Sequence, residues 1–171
     1  MNKIRYHIIL AILSLFTLSG CGNWLDVSPE NQVTDEKLFD DYSGFRNALN
    51  GIYRELSEQK LYGRELSWGL VSVLAQDYDA SRLNKAYPEV ATYNYDLADT
   101  KNMIDQVWIQ MYNAIANCNK LIDEIQKKDG SFFPLGEIEK DLIEGEAHAL
   151  RAFIHFDLLR LFAPSPKVNA D

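Results

Sequence analysis

The stretch EAHALRAFIHFDLLRLF, residues 146–162, decides the fold class of this chain. Its apolar residues recur at steps of three and four, which is the spacing of one face of an α-helix. The same spacing extends back to Glu137, so we predict a helix over residues 137–162. One side of this helix carries Ile143, Ala147, Leu150, Ile154 and Leu161, and the apolar arc continues through Ala152, Phe153, Phe156 and Leu159.

Only a narrow stripe of this predicted helix is polar, and it consists of Glu144, His148, Arg151 and His155. A helix that is apolar around most of its circumference is normally buried on several sides. The rest of the chain offers few helical segments to cover it. We therefore expect this sequence to be the front part of a larger protein, with residues 164–171 as a polar tail at a truncation. Residues 22–171 alone should associate or pack loosely and bind no oligosaccharide measurably.

A second helix precedes this one, with Ile104, Trp108, Met111, Ile115, Cys118, Ile122 and Ile125 on one face. Trp108 is expected near the centre of that buried face. Asp129-Gly130 ends this helix, and Pro134 with Glu137 opens the next. The connection is about ten residues, which predicts an antiparallel hairpin. Such hairpins build tetratricopeptide-like proteins, although no full repeat consensus occurs twice.

Two weaker helical segments come earlier in the chain. Phe45, Ala48, Leu49, Ile52, Tyr53 and Leu56 share one helical face. Gly51 inside this helix costs about 1 kcal/mol relative to alanine, which suggests a close packing contact there. A second segment runs over residues 64–75, and Thr34 or Asp35 is expected to cap a short first helix. The predicted fold is all-α, with a helical domain over residues 34–163 and a long irregular loop.

The N-terminus has the features of a secretory leader. Lys3 and Arg5 precede an apolar run over residues 8–18, and small residues follow just before Cys21. About 20 apolar residues are needed to span a bilayer, so this run is too short for a membrane-spanning helix. We predict a signal peptide over residues 1–20, lipidation at Cys21, and an extended tether over residues 21–33. The alternative is a secreted protein with a chance cysteine.

The charge of the chain excludes several classes of partner. Without residues 1–20, 15 basic and 25 acidic residues remain, which is a net charge of −10. Nucleic acids and anionic lipid surfaces both attract clustered lysine and arginine, so neither is an expected partner. Cys118 has no second cysteine in the mature chain other than Cys21, and it is expected to be a small buried core residue.

Four motifs in order resemble the SusD/RagB family of outer-membrane nutrient-binding lipoproteins of Bacteroidetes-type bacteria. They are the LSGC ending at Cys21 with the following Leu25-Asp26 and Pro29, ALNGIY at 48–53, VWIQMYNAIANCN at 107–119, and EAHALRAFIHFDLLRLF at 146–162. The last shows the pattern E-A-x-x-L-R-A-x-x-x-F-D-L-x-R-x-F, which is similar to the hallmark helix of that family. The resemblance covers the mature chain and corresponds to the N-terminal third or so of a family member.

The resemblance implies a function and a partner. Family members capture oligosaccharides or other nutrients at the cell surface and act as a lid over a SusC-like TonB-dependent outer-membrane transporter, without catalysis. The implied location is the outer membrane, lipid-anchored and facing the cell surface. The alternative is a helical-repeat scaffold lipoprotein that holds other proteins together and binds no ligand; a transporter gene of the SusC kind immediately upstream would favour nutrient uptake.

Residues 76–99 are the predicted ligand-binding segment. This segment has no helical periodicity, and loops beyond about 15 residues in compact domains are usually functional or disordered. It carries Tyr78, Arg82, Tyr87 and Tyr93, whose aromatic rings and guanidinium group can contact a sugar. The alternative is that the tyrosines pack the loop onto the helices.

Enzyme activity is not predicted, and neither is a metal or cofactor. His148 and His155 are two helical turns apart, about 10 Å along the axis, which is too far to chelate one metal ion. The chain shows no glycine-rich phosphate loop, nucleophile elbow or catalytic Cys-His pair.

Overall fold

A computed structural model describes residues 6, 35–83 and 86–164 of the chain. The predicted leader apart from Tyr6, the lipidation residue Cys21, the tether and residues 165–171 lie outside the described residues. The elements are α1 (Asp35–Leu38), α2 (Tyr42–Leu56), α3 (Leu70–Leu74), α4 (Tyr87–Ala91), α5 (Ala98–Ile125), a 3-10 turn (Gly130–Phe132) and α6 (Glu137–Phe162). The described part contains no strand, which confirms the all-α prediction. None of its helices is long and apolar enough to cross a membrane.

Helix α2 forms where its apolar spacing predicts it. Asp41 caps its N-terminus, because the Asp41 carboxylate accepts hydrogen bonds from the backbone N–H and the hydroxyl of Ser43. Phe45, Leu49 and Ile52 are buried on its inner face. The close contact suggested at Gly51 is wrong, because a Cβ atom added there would meet no described atom within 4 Å.

Helices α5 and α6 form the predicted antiparallel hairpin. Three pairs along its length show the direction: Trp108 with Phe162, Asn119 with Arg151, and Gln126 with Glu144. The connection contains the 3-10 turn capped by Asp129, whose carboxylate accepts from the Ser131 N–H at 2.9 Å. Gly136, with φ of +68°, directly precedes α6, and this left-handed conformation favours glycine. The hairpin begins earlier than predicted, at Ala98, while α6 has the predicted limits.

Trp108 is not at the centre of the buried face of α5, and this prediction is wrong. Its side chain is 42% exposed and packs edge-on against Phe162 and beside Tyr112. The buried face of α5 carries Val107, Met111, Ala114, Ile115, Cys118, Leu121, Ile122 and Ile125. The predicted face shares Met111, Ile115, Cys118, Ile122 and Ile125 with the buried face. The two differ in the first turns of the helix, where Val107 rather than Trp108 is buried. Cys118 is buried as predicted.

Helix α2 packs against the hairpin and runs parallel to α6. Arg46 Nη2 lies 2.7 Å from Glu139 Oε1, and the Tyr53 hydroxyl donates to Glu146 at 3.0 Å, so both contacts join residues 93 apart. On the other side, Asn117 of α5 donates to Glu55 of α2 at 2.8 Å. The three long helices thus share one core.

The polar stripe predicted on α6 faces α5 over part of its length. Arg151 donates to Asn119 at 2.8 Å, and Glu144 accepts from Gln126 at 2.8 Å. His148 lies between these two contacts, 3.7 Å from Glu144 and 3.0 Å from Arg151. These residues therefore make contacts between and along the two helices.

Candidate functional site

The segment predicted to bind ligand, residues 76–99, begins just after the short helix α3. It contains α4 and the first residues of α5, so it is less irregular than its sequence predicts. Gln76 has φ of +60°, and its amide donates to the Ala91 carbonyl at 2.8 Å. This bond connects the end of α3 to the end of α4.

Tyr78 and Tyr93 present their rings to solvent, with 40% and 55% of each side chain exposed. Each hydroxyl donates to a backbone carbonyl near one end of α3: Tyr78 to Trp68, and Tyr93 to Leu74 at 3.2 Å. A ring whose hydroxyl is already bonded loses less freedom when a ligand stacks on it. The two rings are therefore held in place and open to contact.

Tyr87 is placed differently from the other predicted residues. Its side chain is buried, and its hydroxyl donates to the Glu65 carboxylate at 3.0 Å. Burial, followed by this bond to a carboxylate, raises the pKa of Tyr87 to about 12. Its ring packs the segment onto the helices and is not presented at this surface.

Glu65 explains why the helix predicted over residues 64–75 is helical only from Leu70. Its buried carboxylate accepts from the side chain of Arg64 at 2.8 Å and from the backbone N–H of Leu70 at 3.0 Å. Gly69 lies against this carboxylate, and a Cβ atom there would come within 2.6 Å of Glu65 Oε2. The turns over residues 57–69 thus bring Arg64 and Trp68 next to the predicted ligand segment.

Trp68 is an aromatic candidate that the sequence did not single out. Its side chain is 60% exposed, and its carbonyl accepts the Tyr78 hydrogen bond. The sequence predicts a helix over residues 64–75, and a tryptophan inside a predicted helix does not stand out as a ligand-binding residue. The available signal was a tryptophan outside the periodic apolar positions and next to a tyrosine-rich loop.

Four exposed aromatic side chains therefore surround α3 and the end of α4, and we call them the aromatic surface: Trp68, Tyr78, Tyr93 and Tyr95. Burial raises the pKa of the Tyr95 hydroxyl, and the nearby Tyr93 adds to the shift. Arg82 is also exposed, in the turn that follows Asp79. The Asp79 carboxylate accepts from the Ser81 N–H at 2.9 Å and shapes this turn. Binding sites combine aromatic contact area with a few placed polar groups in this way.

A groove lies beside the Arg64–Glu65 pair. It has a volume of about 360 Å³ and is lined by Lys60, Arg64, Glu65, Ala86, Asp99, Asn102, Met103 and Gln106. An adjoining groove of about 670 Å³ shares Lys60 and Arg64. The second groove is also lined by Gln110, whose Oε1 atom is buried and has no hydrogen-bond partner. Amides, carboxylates and cationic groups in such a groove can bond the hydroxyls of a bound molecule.

Two kinds of reactive group, metal-binding clusters and free thiols, bear on the chemistry available to the described residues. No group of three or more histidine, cysteine or acidic side chains among them could hold a metal ion. Cys118 is buried, and this burial raises the pKa of its thiol to about 11, which disfavours the reactive thiolate. The arrangement provides stacking surfaces and hydrogen-bonding groups, which are features of a binding protein.

Comparison with known proteins identifies the family. Residues 23–171 match the sequence profile of a SusD-like family described as starch-binding and associating with the outer membrane. The chain belongs to this SusD-like family. The prediction from its motifs is thereby confirmed.

Three relatives from Formosa agariphila are similar to most of the chain. SusD-like protein P2 is 26% identical over 96% of this chain and 31% of the relative. SusD-like protein P25 is 22% identical over 94% of the chain and 31% of the relative, and SusD-like protein P38 is 28% identical over 92% and 29%. The chain therefore spans less than one third of the length of these relatives. No solved structure matches it significantly.

Proposed function

We propose that this chain forms the N-terminal helical part of a surface lipoprotein that captures oligosaccharides. In this proposal it delivers them to a SusC-like TonB-dependent transporter in the outer membrane. The observation that carries the proposal is the aromatic surface, two of whose rings are held by hydrogen bonds to backbone carbonyls. Family membership supplies the ligand class, since the family description names starch binding.

The aromatic surface suits a sugar better than an apolar ligand. Tyr78 and Tyr93 expose flat rings, which can lie against the C–H faces of a sugar, while Arg82 can bond hydroxyls nearby. A pocket for an apolar molecule would enclose it, whereas these rings lie at an open surface. We assign contact with ligand to Tyr78, Arg82 and Tyr93, add Trp68, and assign Tyr87 a supporting role through Glu65.

The lipid anchor is part of the proposal. Cys21→Ala should leave the leader functional but remove the lipidated residue, so the protein should appear in the soluble fraction rather than in membranes. Labelling with a palmitate analogue followed by membrane fractionation measures both effects. Cys118→Ala is the matched control, because it removes a buried cysteine and leaves Cys21 in place. This variant should keep both the palmitate label and its location in the membrane fraction. Label that persists in the Cys21→Ala protein would refute the anchor.

A purification from native membranes separates the proposed function from the scaffold alternative. The product of the native locus, tagged at its C-terminus, should bring down an outer-membrane transporter of the SusC kind in mild detergent. A scaffold would instead bring down other proteins, and purified material would bind no glycan. If the tagged protein is recovered without any transporter, the delivery role is contradicted. Glycan capture is then tested separately, by a binding assay on the purified protein.

A further inference from the structure

The larger of the two grooves beside Arg64 carries more cationic than anionic side chains. Its walls come from the end of α2, from the turns that follow and from α5, and its volume is about 670 Å³. The cationic residues that line it are Arg54, Lys60 and Arg64, and the acidic ones are Glu55 and Glu58. We call it the basic groove, because this excess of positive charge occurs in a chain with a formal net charge of −8.

Arg64 is held in place at the basic groove. Its Nε donates to Glu65 Oε1 at 2.8 Å and its Nη1 donates to Gln59 Oε1 at 3.1 Å, while 26% of its side chain remains exposed. A guanidinium group has five N–H donors, of which these bonds use two. An arginine fixed in this way loses little freedom when its remaining donors bind an anionic group.

The other two cations of the groove also have donors to spare. Arg54 is exposed, and no described residue pairs with its guanidinium group. Lys60 Nζ donates to Gln106 at 2.6 Å, which leaves two of its three ammonium donors. On the acidic side, Glu55 already accepts from Asn117 of α5 at 2.8 Å. The basic groove therefore offers mainly charged donors, which form their strongest hydrogen bonds with oxyanions.

The basic groove and the aromatic surface meet at one turn of the chain. The Trp68 N–H donates to the Arg64 carbonyl at 3.0 Å, and Trp68 supplies one of the exposed rings. One extended ligand that reaches across this turn can therefore contact both. The negative charge of the rest of the chain is screened beyond about 8 Å at physiological salt, so the groups that line the groove decide the local preference.

We propose, on the basis of the glycan capture proposed above, that the ligand is an acidic oligosaccharide. Its carboxylate or sulfate group binds Arg54, Lys60 and Arg64, while neighbouring sugar rings stack on the aromatic surface. Both anionic groups present pairs of oxygen atoms, which match the paired donors of a guanidinium group.

Calorimetric titration of the native-locus product with three sets of oligosaccharides tests this proposal. The neutral set contains maltooligosaccharides, the carboxylated set oligogalacturonates and oligoalginates, and the sulfated set carrageenan oligosaccharides. Arg54→Gln and Lys60→Gln each remove one charge from an exposed side chain of the groove. Lys37→Gln is the matched control, because Lys37 is also exposed but lies in α1 and does not line the groove.

We expect one of the two acidic sets to bind at least tenfold more tightly than the neutral set, which also identifies the anionic group. Arg54→Gln and Lys60→Gln should each weaken this binding at least fivefold without changing the melting temperature, and the control should bind as the unaltered protein does. Neutral glycans that bind most tightly, or acidic glycans that bind both groove variants as well as the control, would overturn the acidic ligand and leave glycan capture intact. Absence of binding to every set would overturn both proposals.

Discussion

Three buried carboxylates organise the structure at the scale of single residues: Glu65, Glu139 and Asp157. Asp157, in the hallmark helix, accepts from the Tyr62 hydroxyl at 2.7 Å and from Arg160 Nε at 2.9 Å. A buried carboxylate without such partners would be strongly destabilising. The aspartate of the family motif therefore has a structural role, because it attaches the turn after α2 to α6.

The burial of Tyr87, together with its hydrogen bond to Glu65, makes stability dependent on pH in the alkaline range. Tyrosine in the unfolded chain loses its proton near pH 10, whereas Tyr87 in the folded protein keeps it to about 12. The unfolded state therefore binds fewer protons between these values, and the contribution of Tyr87 to stability is complete below pH 10 and lost as the pH rises to about 12. We predict a melting temperature that falls across this range.

Tyr87→Phe is the variant that isolates this effect. It should lower the melting temperature at pH 7, because Glu65 loses one hydrogen-bond donor at a cost of about 1 kcal/mol. It should also make the decline above pH 10 shallower, although Tyr62, whose pKa is also raised by burial and its bond to Asp157, still contributes. If the melting temperature of Tyr87→Phe falls between pH 10 and 12 as steeply as that of the unaltered protein, the Tyr87 hydroxyl is not buried and bonded to Glu65.

The residues of the candidate site were only partly predictable from sequence. Tyr78, Arg82 and Tyr93 were chosen for their residue type in a segment without periodicity, and all three are exposed. Tyr87 has the same residue type and the same surroundings in sequence, yet it is buried. The difference depends on Glu65, which is 22 residues away, and contacts at that separation leave no local pattern.

At the scale of elements, the helices could be predicted because their periodicity extends over many turns. Helix α6 has the predicted limits, and α2 begins three residues before its first predicted apolar position. The face that each helix buries was less certain. In α5, the spacing of three and four residues fits a row through Trp108 as well as one through Val107. Packing against two neighbouring helices buries Val107 and Ala114 and leaves Trp108 partly exposed.

The packing of α5 predicts that its most costly substitution is at Met111 rather than at Trp108. Met111→Ala should cost about 2–5 kcal/mol of unfolding free energy, because Met111 is completely buried and a cavity would remain. Trp108→Ala should cost about 1–2 kcal/mol, since it loses mainly the contacts with two neighbouring rings. Urea denaturation of both variants measures the difference. A larger loss for Trp108→Ala would place the tryptophan in the core and contradict the described packing of α5.

At the scale of the whole molecule, four exposed apolar side chains of α6 predict the behaviour of residues 22–171 alone: Ile138, Leu142, Phe156 and Leu159. Exposed apolar surface beyond a few hundred Å² promotes association. The short chain should therefore sediment as larger species as its concentration rises. Replacing Leu142 and Phe156 together by lysine should reduce this association without lowering the melting temperature, because both side chains are already more than half exposed. A compact monomer at high concentration would show that α6 needs no cover.

Calorimetric titration of the native-locus product against a panel of oligosaccharides, including starch-derived ones, tests the central claim most directly. We predict that one class of glycan binds, and that Tyr78→Ala and Tyr93→Ala each weaken binding about tenfold, which is roughly 1.4 kcal/mol. Tyr42→Ala is the matched control, because Tyr42 is exposed to a similar extent but is not part of the aromatic surface. It lies at the start of α2, about 22 Å along the helix from the end that leads into the turns before α3. The control should bind as the unaltered protein does. Absence of binding to every glycan, or equal affinities in all three variants, would contradict glycan capture at the aromatic surface.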